Sequence, residues 1–275
     1  MTSDTGLDPT AGTETFDISL ETAEQYERRF VPAIFARWAP HVLDAVEVSA
    51  GTRLLDVACG TGIVARTALE RGVGVTDIVG IDLNPSMLAV ARRSGPGVEW
   101  RQGDVVDLPV DDSSFDAVTC QMAMMFFPDR AGAWTEMARA VRPGGRVGVV
   151  VPASLEEQTA YRSFVEAAIR RAGPEARDLV SAYWNCGDLD ALTAEHRSSG
   201  LDLVVSRTLT EPARFASCAD FVATEIDATP LAERLDQDQR DQITADVESD
   251  LDWIQPTDAG FDVPLTCHVL AATRR

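Results

Sequence analysis

The chain has 275 residues, of which 45% are hydrophobic, and no apolar run approaches the roughly 20 residues that span a membrane. Its 44 acidic residues outnumber 24 basic ones, which gives a formal net charge of -20. Because nucleic-acid binding depends mainly on basic side chains that neutralise phosphates, this balance argues against nucleic acid and anionic membranes and favours a small-molecule or protein partner.

The N-terminal residues 1–15, MTSDTGLDPTAGTET, are polar and acidic and are expected to form a disordered tail. They lack the basic start and apolar segment of a signal peptide. The five cysteines are scattered without a C-x-x-C pair. This pattern predicts buried free thiols in a reducing compartment, and therefore a cytoplasmic location.

Helical periodicity characterises the segment from Phe16 to Val48, in which aromatic and apolar residues recur at three- and four-residue steps. Pro32 and Pro40 are expected to break the helix. The range 16–48 is therefore predicted to be an N-terminal helical cover.

Strands and helices then alternate up to Val151. The predicted strands are TRLLDVA, DIVGIDL, GVEWRQGD, FDAVTCQ and GGRVGVVV, and the predicted helices are Ile63 to Arg71, Pro85 to Arg93 and Ala131 to Val141. Such alternation predicts an α/β fold with a parallel sheet and helices on both faces. Ligands of these folds bind beyond the carboxyl ends of the strands.

After Val151 the pattern becomes less regular. Helices are predicted over Leu155 to Ala172, Leu189 to Ser199 and most of an acidic stretch, Phe215 to Trp253, and strands over LDLVVSRTL and DVPLTCHVLAAT. The last strand is expected to insert antiparallel at the sheet edge. With no convincing linker, 16–275 is predicted to be one domain in which 152–187 acts as a lid-like helical segment.

The stretch LLDVACGTGIVAR, Leu54 to Arg66, places a glycine turn directly after the first strand. Its spacing, Gly60-x-Gly62-x-x-Ala65, also satisfies the loose dinucleotide fingerprint. Asp82 lies at the end of the second strand, 20 residues beyond Gly62, where a ribose acceptor is expected for either kind of cofactor. The turn and Asp82 together indicate a nucleoside without identifying it.

Two further carboxylates discriminate between the cofactors. Asp56 precedes the glycine turn and Asp104 follows the third strand. A pyrophosphate would meet like charge at such a turn, whereas S-adenosylmethionine has no phosphate and carries a sulfonium and an ammonium group. A carboxylate can also accept a hydrogen bond from an adenine amino group. S-adenosylmethionine is favoured, while an NAD-dependent oxidoreductase and a protein that binds S-adenosylmethionine without methyl transfer stay open.

Four stretches, LLDVACGTG, VGIDLNPSML, GDVVDLPVDDSSFDAVTCQMAMMFFPD and VRPGGRV, carry a family resemblance. In this order and spacing they resemble the class I S-adenosylmethionine-dependent methyltransferases, in particular small-molecule enzymes similar to those of ubiquinone and menaquinone biosynthesis. The likeness covers about Leu54 to Val151. It implies a Rossmann-like, seven-stranded, mostly parallel sheet with a C-terminal antiparallel strand, and helices on both faces.

The resemblance also implies how the cofactor is bound. The methionine moiety would be lined by Ala58, Cys59, Gly60 and Gly62, with Asp56 supporting the turn. Asp82 would bind the ribose hydroxyls, and the adenine would be contacted by Leu83, Met87, Asp104 and Val105. The Gln121 carbonyl would face the ammonium, and the cover would contribute Tyr26 and Arg37. Core packing for Leu83 and Met87, and turn or cap roles for Asp82 and Asp104, stay open.

The methyl acceptor is expected beside MAMMFF, Met122 to Phe127, just past the fourth strand. An apolar, aromatic wall suits a flat hydrophobic acceptor, although core packing explains the same residues. The predicted acceptor-binding residues are Phe30, Met125, Phe126, Phe127, Tyr183 and Trp184. No metal site is expected, no catalytic residue is assigned, and His41 is weighed as a base against a packing role. C- or O-methylation is favoured, and a homodimer is left open.

Overall fold

The computed structural model describes residues 19–227 and 229–275, so the predicted tail, residues 1–15, and the start of the predicted cover lie outside the described residues. The described residues contain a seven-stranded sheet in the order β3-β2-β1-β4-β5-β7-β6. The strands are β1 Leu54–Val57, β2 Ile78–Asp82, β3 Glu99–Gln102, β4 Phe115–Gln121, β5 Val141–Pro152, β6 Leu201–Phe215 and β7 Phe261–Arg274. Strands β1 to β5 pair in parallel, and β7 inserts antiparallel between β5 and β6. The predicted fold class is confirmed.

Ten α-helices within the described residues surround this sheet. They are α1 Leu20–Phe30, α2 Ala36–Ala45, α3 Ile63–Glu70, α4 Pro85–Ser94, α5 Arg130–Ala140, α6 Thr159–Ala172, α7 Ala176–Val180, α8 Leu189–Glu195, α9 Cys218–Asp227 and α10 Gln237–Asp250. Among them, none is long and apolar enough to cross a membrane. The cysteines are free, and all but Cys218 are buried.

The two prolines of the N-terminal segment do not break it, contrary to prediction. Pro32 lies in a π-helical turn, Val31–Phe35, which connects α1 to α2, and Pro40 lies inside α2. An interior proline costs about 3 kcal/mol because it removes an amide donor and crowds the preceding turn. The burial of Trp38 and Val42 in the core offsets that cost.

The end of β6 also differs from the prediction, which placed the start of a helical stretch at Phe215. Phe215 is the last residue of β6 and pairs with Phe261 of β7. Its ring is buried and lies 5.1 Å, centroid to centroid, from that of Phe221. Pairing with a strand almost fifty residues further along the chain is invisible to local periodicity, so the helix begins only at Cys218.

The central strands are buried on both faces, which explains their nearly continuous apolar sequences. On one face α2 approaches β5 very closely, since a Cβ on Gly148 would lie 2.4 Å from a Val46 methyl carbon. The sheet and its helices leave the carboxyl ends of β1, β2 and β4 facing the N-terminal helix.

Candidate functional site

A cavity of about 600 Å³ opens beyond the carboxyl ends of β1, β2 and β4, a volume typical of small-molecule sites. It is lined by most of the residues predicted to bind a cofactor, Tyr26, Asp56, Ala58, Cys59, Gly60, Asp82, Leu83, Met87, Asp104, Val105 and Gln121. All residues predicted to bind an acceptor line it too, namely Phe30, Met125, Phe126, Phe127, Tyr183 and Trp184. The sequence-predicted positions therefore meet around one space.

Of the predicted positions, all of which the structure describes, Gly62 and Arg37 do not line this cavity. Arg37 lies near Asp262 of β7. The hydrogen bond from Arg214, and then the charges of Arg214 and Arg37, lower the pKa of the Asp262 carboxyl. Ideal α-helical spacing would place Arg37 on the same face as Tyr26. The π-helical turn between them changes the phase and directs Arg37 away.

The glycine turn after β1 has left-handed backbone at Ala58, Gly60 and Gly62, with φ values of 53°, 54° and 88°. Gly62 donates its amide to the Cys59 carbonyl at 2.9 Å and caps the start of α3. Left-handed backbone favours glycine because it has no Cβ. The turn thereby keeps its backbone close to the cavity.

Trp100 of β3 supports this turn from behind, a role that the sequence analysis missed. A Cβ on Gly62 would lie 2.4 Å from the indole ring, and one on Gly80 would lie 2.3 Å from it. The indole nitrogen donates to the Gly95 carbonyl at 3.1 Å, which fixes the ring. Gly62 therefore serves as a contact surface for Trp100 rather than as part of the cavity wall.

Asp82, at the end of β2, joins the glycine turn to the following helix. Its Oδ2 accepts the Gly60 amide and its Oδ1 accepts the Asn84 amide, both at 2.8 Å. Burial raises the pKa of Asp82, while these two hydrogen bonds oppose the shift. Each carboxylate oxygen can accept a further hydrogen bond, so Asp82 is able to bind two hydroxyl groups while holding the turn.

Leu83, Met87, Asp104 and Val105 form one end of the cavity next to Asp82. The Leu83 carbonyl accepts the Gln102 side-chain amide at 3.0 Å, which fixes this exposed residue. Asp104 Oδ1 accepts the Val106 amide at 3.1 Å. An apolar pair beside an exposed carboxylate suits a flat, nitrogen-rich ring.

Asp56 Oδ2 and Gln121 Oε1 are among the buried oxygen atoms that have no hydrogen-bond partner within the described ranges. Asp56 Oδ1 accepts the Thr119 hydroxyl at 3.1 Å, and Gln121 donates its side-chain amide to the Phe35 carbonyl at 3.0 Å. Burial, and then the charge of Asp82, raises the pKa of Asp56 to about 7 against the hydrogen bond from Thr119. Both residues line the cavity, and their unpartnered oxygens fit a positively charged or hydrogen-bond-donating group.

The N-terminal helix covers the turn. The Tyr26 ring stacks on Phe35 at 5.0 Å between centroids, and its hydroxyl oxygen would lie 3.9 Å from a Cβ on Gly60. Glu27 pairs with Arg66 of α3 at 2.8 Å. This ion pair ties α1 to the helix that follows the turn.

Aromatic side chains enclose the other end of the cavity. Phe126 meets Tyr183 edge-on at 5.5 Å between centroids, and Tyr161 meets Trp184 at 5.3 Å. The predicted lid-like segment closes on itself, because a Cβ on Gly187 would lie 2.2 Å from the Ser154 amide nitrogen. The backbones at its two ends are therefore in contact.

Glu225 of α9 and Tyr161 of α6 line the same end, and the sequence analysis singled out neither. Burial raises the pKa of Glu225 to about 8. A signal for Glu225 exists in the sequence, because it shares the buried helix face with Phe221 and Val222 at three- and four-residue spacing. An acidic residue on an apolar face is an anomaly that periodicity can detect.

The three histidines, His41, His196 and His268, lie outside the cavity wall. His41 Nε2 is 3.0 Å from Glu211 Oε1, and its ring packs on Trp38. This is the packing role weighed for His41 in the sequence analysis. Over the described ranges no group of three metal-ligating side chains is placed to hold an ion.

Comparison with known proteins agrees with this geometry. Residues 55–149 match a family model described as a methyltransferase domain. The chain is similar to the demethylmenaquinone methyltransferase of Paenarthrobacter aurescens, at 34% identity over 146 residues, which cover 53% of this chain and 56% of that protein. The match thus spans little more than half of that relative's length.

Solved structures share the fold. The YcgJ protein of Bacillus subtilis has a TM-score of 0.59 at 19% identity, covering 87% of this chain and 98% of its own. Phosphoethanolamine N-methyltransferase 2 of Haemonchus contortus, in complex with phosphomonomethylethanolamine and S-adenosylhomocysteine, also has a TM-score of 0.59 at 19% identity. The likeness covers 98% of this chain and 60% of that chain. At this identity the likeness establishes the fold alone.

Proposed function

We propose that the chain is a class I, S-adenosylmethionine-dependent methyltransferase that methylates a small, flat, hydrophobic or aromatic molecule at carbon or oxygen. The match of residues 55–149 to a family model described as a methyltransferase domain supports the proposal. The observation that carries the proposal is one cavity with two chemically different ends. Strand-end carboxylates and a glycine turn form one end, and aromatic rings form the other. Such a division suits a polar cofactor beside an apolar acceptor.

The polar end fits S-adenosylmethionine. Asp82 has acceptor capacity left, which we assign to the two ribose hydroxyls, and Leu83 and Met87, which line this end of the cavity, are proposed to flank the adenine. The unpartnered oxygens of Asp56 and Gln121 suit the ammonium and sulfonium side of the cofactor. When bound, the cofactor supplies an electrophilic methyl group on a sulfonium centre.

The chain's own contribution to such a reaction is positioning and the exclusion of water. Holding a nucleophile in line at roughly 3 Å can remove much of a transfer barrier. Residues 16–48 are proposed to cover the cofactor and 152–187 the acceptor, within one domain over 16–275. The contacts of Tyr26 with the turn region and of Tyr183 with Phe126 support these two covers.

The test is incubation with methyl-labelled S-adenosylmethionine and a panel of quinols and phenols, followed by mass spectrometry of the products. A mass gain of one methyl group is expected on at least one aromatic acceptor, and at a cofactor concentration below saturation Asp82→Ala should give at least tenfold less product. Calorimetry supplies the second arm. Binding of S-adenosylmethionine without transfer to any acceptor would instead indicate a binding protein, and heat with NAD alone would indicate an oxidoreductase.

Further parts of the proposal concern partners and location. The net charge of -20 supports a chain that does not act on nucleic acid at physiological salt. A cytoplasmic location and a homodimer are both compatible with the proposal. Transfer of labelled methyl groups to tRNA above background would contradict the statement that the chain does not act on nucleic acid.

A further inference from the structure

Resting on the proposed function, we propose that Glu225 and Tyr161 together recognise a hydroxyl group on the aromatic acceptor and that Glu225 accepts its proton. This inference names the acceptor class as a hydroxylated aromatic ring, such as a phenol or a hydroquinone. It assigns the acceptor end of the cavity two polar contacts among otherwise mostly apolar walls.

The first observation concerns the Glu225 carboxyl. Its side chain projects from α9 beside Phe221, lines the cavity and is only 8% exposed. Burial alone raises the pKa of this carboxyl, and no hydrogen bond or ion pair from the described part of the chain counters it. Because a buried polar group without a partner costs free energy, a group of this kind in a native protein calls for a functional explanation or a bound molecule.

The second observation is the Tyr161 hydroxyl, which lies on a different helix but at the same end of the cavity. It is buried and has no hydrogen-bond partner among the described residues. Its ring is held edge-on against Trp184 and against Phe221, at 5.3 and 5.2 Å between centroids. Phe221 lies one helical turn before Glu225, so the packing that fixes Tyr161 also joins it to α9.

The charged and titratable groups around Glu225 do not neutralise it. Arg29 of α1 reaches α9, but its guanidinium is directed to Asp220 and Asp227, each at 3.2 Å, and to the Thr224 hydroxyl at 2.9 Å. Tyr161 and Tyr183 also lie near it. After burial, the charge of Glu225 contributes to a raised pKa for each tyrosine.

The two groups together select a hydroxyl. An ionised carboxylate only accepts hydrogen bonds, whereas the Tyr161 O–H can donate one, so both are satisfied by a group that donates and accepts. A hydroxyl does both. An ammonium group has no acceptor and would leave the Tyr161 proton without a partner, and an ether oxygen would leave the carboxylate without a donor.

The proton step balances within this pair. The acceptor O–H bond breaks, its electron pair stays on the acceptor oxygen, and the proton forms a new O–H bond on Glu225. The products are an aryloxide, which is a stronger nucleophile, and a neutral carboxylic acid. Burial holds the pKa of Glu225 at about 8, so both of its protonation states are accessible near neutral pH, as a proton acceptor requires.

Calorimetry with two probes, 2-naphthol and 2-methoxynaphthalene, tests the inference on the full chain with S-adenosylhomocysteine present. At pH 9 the Glu225 carboxylate is ionised, and we expect 2-naphthol to bind at least tenfold more tightly than 2-methoxynaphthalene. At pH 6 the neutral carboxyl can donate to an ether oxygen, so the preference should fall to about threefold or less. Glu225→Gln should abolish this pH dependence, and Tyr161→Phe should weaken both probes.

Glu248→Gln, at an exposed position on α10, is the matched control and should behave like the wild type. Equal affinity for both probes at pH 9, no binding of 2-naphthol, or an unchanged pH dependence in Glu225→Gln would each overturn the inference. The wild-type pH series decides even where a variant fails to fold. If the wild type does not bind S-adenosylhomocysteine, the proposed function itself is refuted.

Discussion

The two ends of the cavity are constructed differently. At the cofactor end, most of the lining residues lie at or shortly after the ends of β1, β2, β3 and β4, and a carboxylate such as Asp82 is held by backbone amides. At the acceptor end, α1, α6 and α9 come together from distant parts of the chain. There the Tyr161 hydroxyl is buried without a hydrogen-bond partner within the described residues, and burial alone acts on the pKa of the Glu225 carboxyl.

This difference explains why the sequence reveals the family resemblance but not the identity of the acceptor. Backbone geometry at a strand-end turn is set by a few glycines and carboxylates, which short motifs preserve and family models detect. The other end of the cavity is also lined by side chains from outside residues 55–149, among them Tyr161 and Glu225. The cofactor end therefore follows from local sequence, and the acceptor end follows from tertiary packing.

The largest expected effect is a pH-dependent change in stability caused by Glu225, at the acceptor end of the cavity. The pKa of Glu225 is raised from 4.5 to about 8, so the folded state binds more protons than the unfolded state between these values. Its contribution to stability is fully present below pH 4.5 and is lost as pH rises through 8. We expect Glu225→Gln to exceed the wild type in unfolding free energy by about 5 kcal/mol at pH 9, since each pKa unit is worth 1.36 kcal/mol.

Urea denaturation at pH 5 and pH 9 measures this difference, which should shrink toward pH 5. Glu248→Gln, on the exposed surface of α10, should track the wild type at both values. A gap between Glu225→Gln and the wild type that is the same at pH 5 and pH 9 would show that Glu225 does not titrate as its burial implies.

The next effect concerns the support of the cofactor turn. Gly62→Ala introduces both a left-handed alanine and a Cβ 2.4 Å from Trp100, whereas Gly51→Ala introduces the same backbone strain at φ 85° with nothing within 4 Å. We expect a loss of about 3 kcal/mol for Gly62→Ala and about 1 kcal/mol for Gly51→Ala, because overpacking adds to strain only at the first. Urea denaturation of both variants measures these losses. Equal losses in the two variants would show that contact with Trp100 does not contribute.

Asp82→Ala should act on binding more than on folding. Hydrogen bonds to charged groups contribute about 1.5–3 kcal/mol each, so affinity for S-adenosylmethionine should fall at least tenfold. Asp116→Ala is the control, since that carboxylate also accepts a backbone amide, from Arg53 at 2.8 Å, but lies away from the cavity. A dissociation constant unchanged by Asp82→Ala in calorimetry would leave Asp82 as a turn residue alone.

Sequence reasoning located the strands, the turn and the carboxylates at strand ends, because each depends on local periodicity or on a fixed offset along the chain. Asp56 and Asp82 line the cavity for this reason. Arg37 was misplaced because the π-helical turn shifts the helix phase. Local spacing does not reveal an inserted π turn.

The positions that were missed depend on contacts between distant segments. Trp100 matters because three glycines from separate elements leave room for one indole. Tyr161 matters because α6 packs near α9. Glu225 could have been identified from the sequence as a carboxylate on an apolar helix face. Only the fold shows that this face borders the cavity.

The smallest expected effect is at His41. Its imidazole lies 3.0 Å from Glu211 and packs on Trp38, away from the cavity, so it has no route to an acceptor proton. A partly exposed pair of this kind is worth about 0.2–1 kcal/mol of stability. We therefore expect His41→Ala to lower turnover less than tenfold, with Glu211→Gln as the matched variant of similar effect. A loss of a hundredfold or more at His41, with cofactor affinity intact, would make His41 the base and would contradict the assignment of that role to Glu225.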